Sequence, residues 1–146
     1  MKYLFVIAVT FLILACAINP HTEIWAPEIL GVLIDNDKPL SGVTIKAVRS
    51  YWLKTVEGCP DSYREVVTDE EGNFSLTADE HFSLFTFMGD GVFSWKVCAI
   101  VNGSSVTLWR GESVGIVTEN DNSTLKCDIS KEPVNTRKGA VLCTRM

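Results

Sequence analysis

Basic charge is scarce in this chain. Its 146 residues carry 13 Lys and Arg against 18 Asp and Glu, a formal charge of −5, and the longest basic run is Arg137-Lys138. Binding to nucleic acid draws on counterion release at a basic surface, so no nucleic-acid partner is expected. Paired metal ligands are missing too. No two cysteines are spaced C-x-x-C, and His21 and His81 stand alone in separate segments, which removes the zinc patterns. Asp35-Asn36-Asp37 and Asp69-Glu70-Glu71-Gly72-Asn73 lack the one-three-five spacing and closing glutamate of an EF-hand and read as solvated turns. No metal and no cofactor is expected. No apolar run reaches the ~20 residues of a membrane-spanning helix. Disorder is excluded from the other side: 47% of residues are hydrophobic, only 21% are charged, and 10 Gly and 5 Pro are too few for a low-complexity polymer. The length fits one domain.

The start of the chain reads as an address. Lys2 is followed by an apolar run from Tyr3 to Ala15, broken only by Thr10, which has the length of a secretory h-region. Residues 1–15 are therefore expected to be a signal peptide. The run closes on Ile13-Leu14-Ala15-Cys16, which resembles the bacterial lipobox, and the resemblance implies that Cys16 is acylated and becomes the new N-terminus. Ala17 after the lipidated cysteine then implies the outer membrane, with the protein facing the periplasm. Ala15-Cys16-Ala17 also fits an A-x-A site, which would release a soluble secreted or periplasmic chain without Cys16. Residues 16–27 show no periodicity and read as lipid attachment and tether. Four further cysteines, Cys59, Cys98, Cys127 and Cys143, suit an oxidising compartment. They allow three connectivities. The expected one joins Cys98 to Cys127, both in strand-like runs, and Cys59 to Cys143; a single bond with two buried thiols is the alternative.

The body, residues 28–130, reads as strands. Ile29 to Ile34 is an apolar run stopped by the turn formers Asp35 to Pro39. Val43, Ile45 and Ala47 alternate with Thr44 and Lys46, the period of a half-buried strand. Arg64 to Thr68 and Asn73 to Thr77 flank Asp69-Glu70-Glu71-Gly72 and predict a hairpin. Phe93 to Val101 and Ser105 to Arg110 flank Asn102-Gly103, the type I′ dipeptide, and predict a second. Thr124 to Ile129 is expected to be the last strand, with 131–146 an ordered tail. Thr77 and Glu80 have capping-box spacing, which allows one helical turn at most in 78–87. About seven short antiparallel strands at this spacing predict an all-β sandwich.

Two stretches carry a family resemblance. Gly31-Val32-Leu33-Ile34-Asp35-Asn36-Asp37-Lys38-Pro39-Leu40-Ser41-Gly42-Val43 and Thr68-Asp69-Glu70-Glu71-Gly72-Asn73-Phe74-Ser75-Leu76 resemble the carboxypeptidase-regulatory-like domain. The resemblance implies a prealbumin-like (transthyretin-like, Ig-like) sandwich that serves as a non-catalytic binding or structural accessory. It covers residues 29 to about 77.

Candidate chemistry is thin. Gly111-Glu112-Ser113-Val114-Gly115 matches the G-x-S-x-G elbow, which would make Ser113 a hydrolase nucleophile, but no helix pattern follows it and both histidines precede it in the chain. Two classes of function remain. One is a protein-binding module, an inhibitor or immunity protein acting on a periplasmic partner, with Phe85, Phe87 and Trp52 as its expected contact residues. The other is an envelope structural or carbohydrate-binding lipoprotein, in which exposed members of Trp25, Trp52, Trp95 and Trp109 would stack on sugar rings. Within 81–91, Phe82, Leu84 and Met88 would face one way along a strand and Phe85 and Phe87 the other.

Overall fold

A computed structural model describes residues 18–51, 59, 64–85, 92–114, 122–136 and 139–146. Signal peptide, Cys16, Trp52, Phe87 and Met88 therefore lie outside the described residues, as do the side chains of Phe85 and Ser113. Among the described residues there is no helix, and the chain is all-β.

Two sheets stack as a sandwich. The first holds β13(Cys143–Arg145), β10(Ser123–Asp128), β2(Ile29–Asp35) and the two-residue β3(Lys38–Pro39) in that order, with β6(Asn73–Leu76) also paired to β2. The second holds β5(Arg64–Val67), β4(Thr44–Tyr51), β8(Val92–Val101) and β9(Ser104–Val114), all antiparallel. One pair departs from the expected antiparallel pattern: β10 runs parallel to β2, with Cys127 opposite Leu33. The core forms where inward residues of the two sheets meet. Ile29, Leu33, Leu76 and Leu125 from the first pack with Ile45, Val97, Ala99 and Leu108 from the second, all fully buried. Alternation along β10 shows the cause, since Ser123, Leu125 and Cys127 are buried while Thr124 and Lys126 are exposed.

Asn102 and Gly103 adopt φ of 52° and 75°, as a type I′ turn requires, and β8 and β9 pair from Val101↔Ser104 onward as expected. The other expected hairpin does not form. The Asp69–Gly72 turn closes, with Gly72 N–H on the Asp69 carbonyl at 3.0 Å, but β5 then pairs with β4 and β6 with β2. The turn is a crossing between the two sheets. Gly72, at φ 77°, is packed so closely that a Cβ would stand 2.5 Å from the Leu33 carbonyl oxygen.

Thr68 ties this crossing to the first turn. Its hydroxyl accepts the Val43 N–H at 3.0 Å and donates to the Leu40 carbonyl at 2.7 Å, while its own N–H and C=O bond Val43 and Gly42. The two sequence stretches that carry the family resemblance are thus one interlocked piece of structure.

Three further expectations need correction. Residues 18–26, read as tether, form β1(Ile18–Ala26), which pairs antiparallel with β7(Asp79–Phe85), the segment where a helical turn was allowed. β10, expected to be the last strand, is followed in the ordered tail by β11(Val134–Thr136), β12(Gly139–Val141) and β13, and β13 joins the first sheet. The disulfides are Cys59–Cys98 and Cys127–Cys143, with Cα separations of 6.4 and 4.0 Å, which is neither the expected connectivity nor the single-bond alternative. Strand parity explains it. Val97 and Ala99 enter the core, so Cys98 between them faces away from it, whereas Cys127 lies in the core cluster on the other sheet, directly opposite Cys143.

Candidate functional site

An open trough of about 650 Å³ lies across the outer face of the first sheet and the adjacent edge of the second. Leu30 and Val32 of β2 form its floor with Ser75 of β6 and Thr124 of β10, Val67 of β5 stands at its edge, and Met146 closes one side. Local sequence explains the floor. The run Ile29 to Ile34 is apolar at every position except Gly31, so once Ile29 and Leu33 fill the core, Leu30 and Val32 must face outward. Met146 is held there by its N–H on the Thr124 carbonyl at 2.9 Å. Leu30, Val67 and Met146 are three of the large hydrophobic side chains exposed on the surface, and they share this one trough. β5 and β6 are both edge strands among the described residues, so backbone groups lie beside the apolar floor. At the rim, Asp69 accepts the N–H groups of Asn73 and Glu71 at 2.7 and 3.1 Å. The Asn73 backbone bond, reinforced by the Asn73 side chain, holds the Asp69 carboxyl below its ordinary pKa.

A second gathering surrounds Trp25. Its indole N–H donates to Glu23 Oε2 at 3.0 Å, and Glu23 Oε1 meets His21 Nε2 at 3.0 Å. The ring stacks on His81 at 4.5 Å and on Phe93 at 5.5 Å between centroids, with the Arg49 guanidinium 4.6 Å from the Trp25 ring. Arg49 also pairs with Asp79. The strand pairing thus brings together two histidine-bearing segments that are distant in sequence, and the result is a latch that fastens β1 and β7 to the second sheet. No cluster of three metal-ligating side chains occurs among the described residues.

The chain belongs to the DUF6795 family. The model of that family, a domain of unknown function, matches residues 29–132. The match runs from the first residue of β2 to just before β11, leaving β1 and the tail strands outside it. No curated protein and no solved structure matches the chain.

Within this DUF6795 domain the remaining sequence candidates fall as follows. Backbone of Gly111 to Val114 continues β9, paired with Trp95 to Val92 of β8, so Ser113 sits in a regular antiparallel strand. Trp95, half-buried, lies against Gly111, where any Cβ would meet the indole. Trp109 packs on the core, with the Arg145 guanidinium 5.9 Å from its ring. On β7 the exposed pair is Phe82 and Leu84. Trp52 and Phe87 lie outside the described residues. Sequence reasoning missed the trough, whose one local sign is the doubly apolar character of β2; Val67 and Met146 reach it only through the fold.

Proposed function

We propose that the protein is a non-catalytic, protein-binding module held at the cell envelope, lipid-anchored through Cys16 to the outer membrane and facing the periplasm, and that it acts as an inhibitor or immunity protein. The trough carries this reading: an apolar, open surface bordered by two edge strands suits an extended segment of a partner protein, which can bury side chains on Leu30, Val32 and Val67 and pair its backbone with β5 or β6. Two disulfides support an exported, oxidised chain and a rigid scaffold. The interlock of Thr68 with Leu40 and Val43 supports the prealbumin-like reading, because it gives both resembling stretches one structural purpose. The carbohydrate-binding alternative draws less support, since Trp25 is engaged by His81, Phe93 and Arg49, and Trp95 by Gly111. A hydrolase elbow at Ser113 draws none from a regular strand.

Val67 and Val134 provide a matched test, being 62% and 60% exposed. Capture of partners from a periplasmic extract with Val67→Asp should lose the protein that wild type retains, and capture with Val134→Asp should keep it. Retention of every captured protein by Val67→Asp would remove the trough from the account.

A further inference from the structure

The β1–β7 sheet has one face latched to the sandwich, while the other is covered at Ile24, 7% exposed, and open toward the start of β1. Trp25 and His81 lie on the latched side. The opposite side of β7 presents Glu80, Phe82 and Leu84, with Phe82 62% and Leu84 49% exposed, beside exposed Pro20 and Thr22 of β1. A phenylalanine and a leucine side by side in water form the kind of patch that another phase or molecule covers.

Where the patch lies decides its occupant. Ile18 is the register partner of Phe85, and Thr22 of Phe82, so the apolar end of β7 flanks the start of β1. Cys16 precedes Ile18 by two residues, which bounds their separation at ~7 Å, the rise of two residues in a strand. Polarity is graded along the same face: Leu84 and Phe82 stand toward the Cys16 end and the charged Glu80 away from it. Because 18–26 is a strand fastened to the domain, it leaves little slack between Cys16 and the sandwich.

We propose that Phe82 and Leu84 rest in the headgroup and upper acyl region of the membrane that holds the Cys16 lipid, so that the domain is seated on the bilayer in one orientation. The inference rests on the lipid anchor of the preceding section and adds a second contact to it. Apolar side chains buried at interfacial depth add binding in proportion to their area, and a second contact beside an acyl anchor restricts the orientations the tether allows.

The full-length protein, purified from membranes, tests this as wild type, Phe82→Trp and Val134→Trp in phosphatidylethanolamine–phosphatidylglycerol vesicles, with and without acyl chains brominated near the headgroups. Intact mass reports the lipid on Cys16. The expected result is an acylated protein in which Phe82→Trp shows blue-shifted emission and loses to the brominated lipid intensity that wild type and Val134→Trp keep. An acylated protein whose Phe82→Trp emission is quenched no more than wild type overturns the seating and leaves the anchor standing. An unacylated mass overturns the anchor and the seating with it. A dimer in detergent whose Phe82→Trp emission is blue-shifted without lipid gives the face to a second copy and also overturns the proposal.

Discussion

Thr68→Val is the sharpest probe of the fold. The substitution keeps the shape of the side chain and removes the one hydroxyl that both accepts from Val43 and donates to Leu40. Thr68 is 4% exposed while Leu40 and Val43 are part-buried, so water replaces the lost hydroxyl only in part. A part-buried N–H left unpaired costs about 1–3 kcal/mol and a lost neutral hydrogen bond about 1 more, giving about 2–4 kcal/mol as an upper range. That is a large share of the roughly 5–15 kcal/mol by which domains are stable. Urea denaturation followed by tryptophan emission reads it, and at slopes of about 1–3 kcal/mol per molar the midpoint falls by roughly 1–3 M. Thr68→Ser keeps the hydroxyl and loses one methyl group, about 1 kcal/mol. A Thr68→Val midpoint no lower than that of Thr68→Ser would refute the interlock.

Two further outcomes follow from the same contacts. Cys127→Ser with Cys143→Ser opens a 16-residue loop and should cost about 3 kcal/mol, whereas Cys59→Ser with Cys98→Ser opens a 39-residue loop and should cost about 4; a non-reduced digest joining Cys98 to Cys127 would contradict both. Asp69 is held below its ordinary pKa of 3.8 by the Asn73 N–H, so its contribution is complete above that value and disappears as pH falls through the lower folded value. Asp69→Asn should therefore flatten the loss of melting temperature below about pH 4, and an unchanged acid slope would show that the carboxylate carries no such linkage.

Local chemistry made seven strands legible and non-local pairing hid the rest. Asn102-Gly103 announces a hairpin because turn and register are set by the same two residues. Asp69–Gly72 announces only a turn, since nothing in those residues says that Arg64 will seek Ala47 and Phe74 will seek Gly31. β1 escaped notice because the face it turns to the second sheet carries His21, Glu23 and Trp25, and its buried Ile24 and Ala26 are too few to give apolar alternation. β7 was obscured for the opposite reason, its apolar Phe82 and Leu84 facing out. Cysteine pairing failed on parity: Cys98 sits in an apolar strand, yet Val97 and Ala99 take the core and turn it outward. The trough was half-legible in β2 alone.

Binding through the trough is measured most directly by photocrosslinking in living cells. A benzoylphenylalanine at position 67 or 134, sites of nearly equal exposure (62% and 60%), reports what each touches. Position 67 should yield one adduct of discrete mass that position 134 does not. Absence of any adduct at 67, or the same adducts at both positions, would contradict the account.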